Sequence, residues 1–212
     1  MSTRSERRRQ AQNAPKNRRK AWLASAALGL AIIAIAAYAI YASKKLPTAA
    51  VSPSQLTFPA RAKAGTRAKP FSVQAAGVTF SAASLAGKPY MLELFATWCP
   101  HCQRMTSVLR SIRARIPERR FAMLSVTASP YAADSTADKI VPENQQDVER
   151  FDAAYGVTWP TAFDPQLSVA KTWGLVGFPT FYIVNAAGTI VFSADGDLSE
   201  KTLLAAIKKA GG

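Results

Sequence analysis

The sequence is poor in the side chains that usually bind metals or act as nucleophiles. Among 212 residues it has one histidine and two cysteines, and all three lie within residues 97–102. A structural zinc site normally needs four Cys or His ligands. Covalent haem attachment needs a histidine directly after the second cysteine, where this chain has Gln103. The shortage therefore argues against zinc and haem and leaves dithiol redox chemistry as the main hypothesis.

Acidic residues are also scarce, since 13 Asp and Glu stand against 27 Lys and Arg and the net charge is +14. The excess is uneven. Residues 1–20 carry +7 and residues 43–69 carry +6, whereas residues 70–212 carry only +1. A basic nucleic-acid-binding face on the C-terminal part is therefore unsupported, and we expect no nucleic-acid partner.

Charged side chains are absent from residues 21–42, where Leu, Ile and Ala dominate. As a helix, this segment is long enough to cross a bilayer. The aromatic residues Trp22, Tyr38 and Tyr41 lie near its two ends and suit the membrane interfaces. The segment is therefore predicted to be a transmembrane anchor.

The flanks of this segment predict its orientation. Many more Lys and Arg precede it than closely follow it, which favours an N-terminus in the cytoplasm. We predict a basic cytoplasmic tail over 1–20, a single-pass anchor in the cytoplasmic membrane over 21–42, and an extended tether over 43–68. The remaining chain is then expected in the periplasm or extracytoplasmic space. A cleaved signal peptide is the alternative, because Ala37-Tyr38-Ala39 resembles a small-residue cleavage site.

The two cysteines lie at a strand-to-helix junction. An apolar strand is predicted over 90–96, and a helical pattern runs from Gln103 to Arg115. Two residues three apart in the first turn of a helix lie on the same side, so the sulfurs of Cys99 and Cys102 can form a disulfide. Partial positive charge at the helix N-terminus favours the thiolate of Cys99. His101 could add positive charge beside that sulfur.

Beyond this motif, strands and helices alternate along residues 69–212. A buried strand is predicted at 121–126, a helix from Glu143 to Tyr155, and a final helix from about Ser199 to Lys209 after a hairpin turn at 185–188. This order predicts an α/β domain in which helices flank a mixed central sheet.

Residues 69–212 resemble the thioredoxin superfamily, and within it the membrane-tethered TlpA/ResA-like thiol-disulfide oxidoreductases. The motifs that carry the resemblance are Pro70-Phe71, Leu85-Ala86-Gly87-Lys88-Pro89, Phe95-Ala96-Thr97-Trp98-Cys99-Pro100-His101-Cys102, Gly177-Phe178-Pro179-Thr180 and Asn185-Ala186-Ala187-Gly188. The resemblance implies a thioredoxin-like fold preceded by one N-terminal transmembrane helix. It also implies a redox-active disulfide between Cys99 and Cys102, with no cofactor and no metal.

The resemblance further implies a role for each site residue. Cys99 resembles the exposed nucleophile that forms a mixed disulfide with a partner protein, and Cys102 resembles the resolving thiol. Pro179 matches the cis-proline of the family, and Glu93 matches its buried acid, which could accept the proton of Cys102. A proline that only begins a strand and a solvent-facing acid are the alternatives. The residues expected to contact the substrate are Trp98, Pro100, His101 and Phe178.

The expected function is the reduction of protein disulfides outside the cytoplasm. The family suggests apocytochrome c maturation or oxidase assembly as contexts and a membrane thiol transporter as the electron donor. The Cys-Pro-His-Cys arrangement at 99–102 is instead typical of strongly oxidising DsbA-like enzymes, so a disulfide-forming oxidase is the alternative. A copper-binding assembly factor using Cys99, His101 and Cys102 is a third hypothesis, although the chain has no second histidine.

Overall fold

A computed structural model of the chain describes residues 57–212 and, nearer the N-terminus, Leu23. The predicted tail and the predicted anchor, apart from Leu23, lie outside the described residues, as does most of the tether. Their boundaries therefore stay predictions. Among the described residues, no helix combines the length and the apolar character that crossing a bilayer requires.

Seven strands and four helices lie within residues 57–212, and they follow the predicted order. Their bounds are β1 (Ser72–Ala75), β2 (Val78–Ser81), β3 (Tyr90–Phe95), α1 (Pro100–Arg115), β4 (Ala122–Thr127), α2 (Gln145–Tyr155), β5 (Thr161–Ala162), α3 (Ser168–Trp173), β6 (Thr180–Val184), β7 (Ile190–Asp195) and α4 (Glu200–Ala210). The main difference from the sequence pattern is that α1 begins at Pro100, directly after the first cysteine, because proline fits the first helical turn.

Five strands form one mixed sheet in the order β5-β4-β3-β6-β7, which confirms the predicted α/β class. β3 pairs in parallel with β4 and antiparallel with β6. β1 and β2 form a separate antiparallel pair. Since β3 is the central strand, the loop at its carboxyl end, which carries the two cysteines, emerges from the middle of the sheet.

All six residues of β3 are buried because helices cover both faces of the sheet. Alternate side chains point to opposite faces. Leu92 and Leu94 pack in one core together with Trp173 of α3. Met91 packs in the other core with residues of α1 and α4. Glu93 has the same parity as Met91, so its carboxyl group lies on the α1 side of the sheet.

The packing of α1 divides the active-site motif between core and solvent. Its buried residues are Cys102, Met105, Thr106, Leu109 and Ile112. This spacing defines one apolar face, which lies against the sheet. His101 and Arg104 lie on the exposed part of the helix surface. The second cysteine therefore faces the interior, whereas the histidine between the cysteines faces solvent.

Gly174 ends α3 at a point where the backbone comes very close to another segment. Its φ is 91°, and a Cβ placed there would lie 2.4 Å from the carbonyl oxygen of Ala60 and 2.7 Å from that of Pro59. The same segment also donates a hydrogen bond from the Ala62 N–H to the Trp173 carbonyl (2.9 Å). A side chain at residue 174 would push this segment away from α3.

We expect G174A to lower the free energy of unfolding by about 3 kcal/mol, since the steric overlap adds to the backbone strain of a positive φ. G77A is the matched control, because Gly77 has a φ of 78° but nothing lies within 4 Å of the added Cβ. The control should lose only about 1 kcal/mol. Urea unfolding of both variants measures the difference, and equal losses would contradict the steric explanation.

Candidate active site

The two cysteines are free thiols at the start of α1. Cys99 is the N-cap residue and has an extended backbone conformation. Its N–H donates to the Ala96 carbonyl (3.1 Å), and its own carbonyl accepts the N–H of Gln103 (3.1 Å). The first helical turn therefore places both thiols near the partial positive charge of the helix N-terminus.

Cys99 is buried, which corrects the expectation of an exposed nucleophile. Only 5% of its surface is accessible. Trp98 and Phe178 pack beside it and meet edge to face, with ring centroids 5.9 Å apart. The Cys99 Sγ contacts the Phe178 carbonyl oxygen at 3.8 Å. These neighbours cover the sulfur, so the exposure that the family resemblance implied is wrong.

Cys102 lies deeper, with 1% of its surface accessible. Burial raises the pKa of its thiol well above the ordinary value, and the nearby Glu93 carboxylate raises that pKa further. Deprotonation of Cys102 is therefore unfavourable in isolation. It becomes favourable only if a neighbouring group takes the proton.

Glu93 is such a group. It is 3% exposed, which excludes a solvent-facing position at a strand edge. The β3–β4 register places it opposite Ser125, whose hydroxyl donates a hydrogen bond to the Glu93 Oε2. The Ser125 hydroxyl in turn accepts the Trp159 indole N–H (2.9 Å). Burial raises the pKa of Glu93 to about 7, and the Ser125 hydrogen bond opposes this rise. The carboxyl group can therefore bind or release a proton near neutral pH.

The peptide bond between Phe178 and Pro179 is cis, as the family resemblance implied. Pro179 is buried, and Phe178 is half-buried against Trp98. Pro100 is exposed at the first position of α1. The structure thus gathers the residues predicted to contact a substrate around Cys99, while their roles stay predictions.

Segment 128–142 borders the site. The Trp98 indole N–H donates to the Ser129 hydroxyl (2.8 Å), and the Trp98 ring stacks on Tyr131 with centroids 5.2 Å apart. A cavity of about 420 Å³ lies beside this pair and reaches Ile140. These contacts therefore hold the Trp98 side chain, and with it the cysteine loop, against this segment.

Glu143 is a site residue that the sequence did not reveal. It is 2% exposed, and its Oε1 accepts both the Thr97 N–H (3.0 Å) and the Thr97 hydroxyl (2.6 Å). Its Oε2 has no hydrogen-bond partner among the described residues. Burial raises the pKa of Glu143 to about 7. Through these two hydrogen bonds, Glu143 holds Thr97 and thus the loop before Cys99 in place. The sequence shows only an acid at the predicted start of a helix, with no signal for Thr97 as its partner.

His101 points away from the core and contacts two residues that the sequence did not single out. Its Nδ1 lies 2.9 Å from the Asp197 Oδ2 and 2.7 Å from the Arg104 Nη2. A hydrogen bond from Arg104 lowers the pKa of Asp197 below the ordinary value, and His101 adds to this effect. Among the described residues, no three His, Cys, Asp or Glu side chains form a group that could hold a metal ion.

The family model described as Redoxin matches residues 63–207. Among curated proteins, the thiol-disulfide oxidoreductase ResA of Halalkalibacterium halodurans is 26% identical over 66% of this chain and 73% of its own length. ResA of Bacillus thuringiensis is 21% identical over 58% of this chain and 64% of its own length, which is just under two thirds. A solved structure, the putative thiol:disulfide interchange protein DsbE of Chlorobium tepidum, has a similar fold. Its TM-score is 0.60 at 19% identity, over 71% of this chain and 99% of that one.

The raised pKa of Glu93 predicts an unusual pH dependence of stability. The ordinary value is 4.5 and the folded value is about 7, so the folded chain keeps a proton that the unfolded chain releases between these limits. The free energy of unfolding should therefore fall as the pH rises from about 4.5 to about 7, by a few kcal/mol. E93Q should make this fall smaller, because the amide does not titrate but still offers an acceptor to Ser125. The remaining fall comes from other buried carboxyl groups such as Glu143, whose pKa burial also raises to about 7.

Chemical unfolding of the parent chain and of E93Q at several pH values measures this effect. E118Q is the matched control, because Glu118 is exposed and the same substitution there should leave the pH dependence unchanged. Parallel curves for the parent and E93Q would contradict a buried, proton-binding Glu93.

Proposed function

The chain belongs to the Redoxin family and is a thiol-disulfide oxidoreductase with a thioredoxin-like fold, and we propose that it reduces protein disulfides outside the cytoplasm. The observation that carries this proposal is the pair of thiols at the start of α1 with Glu93 beside the deeper one. This arrangement supplies a nucleophile, a resolving thiol and a proton acceptor for two successive exchange steps.

The first step is attack by the Cys99 thiolate on one sulfur of a substrate disulfide. The substrate S–S bond breaks and a mixed disulfide forms, while the second substrate sulfur leaves as a thiolate and takes up a proton. Cys99 suits this step because the N-terminus of α1 stabilises its negative charge. Its burial means that the substrate must replace the apolar contacts with Trp98 and Phe178, so these side chains become part of the substrate-binding surface.

The second step is attack by Cys102 on the Cys99 sulfur. Burial disfavours the Cys102 thiolate, so its proton must move to an acceptor as the sulfur attacks. Glu93 is that acceptor, because a pKa of about 7 leaves a substantial fraction ionised at neutral pH. The mixed disulfide then breaks, and the substrate sulfur leaves as a thiolate that takes up a proton from Glu93 or from water. A Cys99–Cys102 disulfide remains. Two electrons have passed to the substrate, together with two protons that replace those lost by Cys99 and Cys102.

Substrate recognition is assigned to the surface around Cys99. The Phe178 carbonyl already lies next to the Cys99 sulfur, so an extended substrate segment that pairs with the backbone there would bring its own disulfide to the nucleophile. The buried cis-Pro179 follows directly in this loop. We therefore propose that Trp98, Phe178 and Pro179 contact the substrate main chain and its neighbouring side chains.

The location is proposed from the sequence alone. Residues 21–42 are uncharged and follow a strongly basic segment, which favours a cytoplasmic-membrane anchor with the catalytic domain on the outer side. With two cysteines in the chain, each turnover leaves a disulfide that another protein must reduce. We propose that a membrane thiol transporter supplies these electrons. Maturation of apocytochrome c or assembly of an oxidase would be the setting, as the similarity to ResA proteins suggests.

A disulfide-forming oxidase is the second candidate, and one observation favours it. His101 between the cysteines gives the Cys-Pro-His-Cys arrangement of strong oxidants, whose thiolate form is especially stable. The same two cysteines would then run the exchange in the opposite direction, with the Cys99–Cys102 disulfide as the oxidant.

The catalytic assignment predicts different outcomes for the two cysteines. C99S should abolish insulin-disulfide reduction by the full chain, because the nucleophile is lost. C102S should also lose turnover but accumulate a mixed disulfide with the substrate, because the resolving thiol is missing. Non-reducing electrophoresis and mass spectrometry distinguish these results. Insulin reduction that survives C99S would refute the assignment.

The reduction potential of the Cys99–Cys102 pair decides the direction of electron flow. Equilibration of the full chain with glutathione buffers measures this potential. We expect a value near that of thioredoxin, about −270 mV, for a reductase. A value near that of DsbA, about −120 mV, would replace the proposal by the oxidase.

A further inference from the structure

His101, Asp197 and Arg104 form a three-way contact on the exposed edge of the active site. Nδ1 of His101 lies 2.9 Å from Oδ2 of Asp197 and 2.7 Å from Nη2 of Arg104. The Asp197 and Arg104 atoms are themselves 2.8 Å apart. Arg104 lies one turn after His101 in α1, whereas Asp197 comes from the loop between β7 and α4. Two distant parts of the chain therefore meet at one imidazole nitrogen.

The hydrogen-bonding roles at this nitrogen exclude each other. A neutral ring with a lone pair on Nδ1 accepts from Arg104, and Asp197 then faces a lone pair. A protonated ring donates from Nδ1 to Asp197, and the Arg104 N–H then faces another N–H. The neutral Nδ1–H tautomer also donates to Asp197, but only the imidazolium adds charge attraction to the carboxylate. Asp197 therefore favours the charged ring, and Arg104 favours a neutral ring with a lone pair on Nδ1. The pKa of Asp197 is lowered, chiefly by the Arg104 hydrogen bond, so the carboxylate stays ionised and keeps competing.

The charge on this ring matters because His101 follows Cys99 by two positions in the first turn of α1. A cation near a cysteine stabilises its thiolate. Only the reduced form of the pair contains that thiolate, because the disulfide carries no charge. A protonated His101 therefore makes the disulfide a stronger oxidant, and a neutral His101 makes the dithiol a stronger reductant.

We propose that Asp197 and Arg104 are positioning residues: by competing for Nδ1 of His101, they set the charge beside the dithiol and thus its reduction potential. This inference rests on the proposed dithiol exchange and goes beyond it, because it assigns the control of direction to two residues outside the cysteine motif. Arg104 shifts the chain towards reduction and Asp197 shifts it towards oxidation.

The proposal predicts that each substitution shifts the reduction potential in the direction opposite to its direct charge effect on the thiolate. D197N removes an anion, which by itself would stabilise the thiolate, yet it should make the pair more reducing because His101 loses its charge. R104Q removes a cation, yet it should make the pair more oxidising because His101 then pairs with Asp197. We expect the equilibrium constant with glutathione to change roughly two- to threefold in each direction, since these side chains are largely solvated.

The single histidine of the chain gives a direct readout of the competition. NMR spectra of the full chain follow the protonation of this ring. In D197N the ring should become protonated at lower pH than in the parent. In R104Q it should become protonated at higher pH than in the parent. The matched controls are D195N, which removes the carboxylate paired with Arg61, and R110Q, which removes an exposed arginine further along α1. Neither control should reproduce these shifts.

A double-variant comparison completes the test. In an H101Q background, D197N should no longer make the pair more reducing, and R104Q should no longer make it more oxidising. The inference would be overturned if the reduction potential changed with the opposite sign in the parent background. Equal changes with and without His101, or an imidazole titration that does not move in either variant, would also overturn it. A parent chain that forms no reversible disulfide would refute the proposed function as well. If the disulfide is reversible but its reduction potential does not change in either variant, the inference is refuted and the proposed function stands.

Discussion

A carboxyl group without access to water is the constraint on which the rest of the site depends. Glu93 lies in the central strand of a sheet that is covered on both faces, so the protein must keep its charge small or give it a partner. Ser125, opposite it in the next strand, supplies one hydrogen bond. The remaining desolvation moves the pKa into the range where proton transfer is useful. The fold thus keeps in its core, near the deeper thiol, a carboxyl group whose charged form is disfavoured by burial.

Much of this could be predicted from the sequence, because the informative signals were local. The apolar run of β3, the cysteine spacing and the proline before β6 each lie within a few residues, and together they predicted the mixed sheet and the dithiol. The contacts that were missed join distant segments. Glu143 meets Thr97 across 46 positions, and Asp197 meets His101 across 96. Only the folded sheet and its loops bring these pairs together, and no short-range pattern encodes them.

The wrong prediction about Cys99 has the same origin. Its position follows from the start of α1, which the sequence shows, but its exposure depends on Phe178 from a loop far along the chain and on the setting of Trp98. Trp98 is in turn held by Ser129 and Tyr131. Cys99 is thus covered by side chains from two separate segments, and a third segment holds Trp98 in place.

The different depths of the two sulfurs have a consequence for chemical damage. Peroxide or another small oxidant can reach Cys99 through its narrow opening, whereas Cys102 is almost closed to it. A sulfenic acid formed on Cys99 would have a thiol beside it and would condense to the disulfide, with loss of water, before further oxidation. In the proposed cycle this disulfide is an ordinary state, and the proposed electron donor would restore the dithiol. Because Cys102 is almost inaccessible to the oxidant, its thiol would stay reduced and available for this condensation.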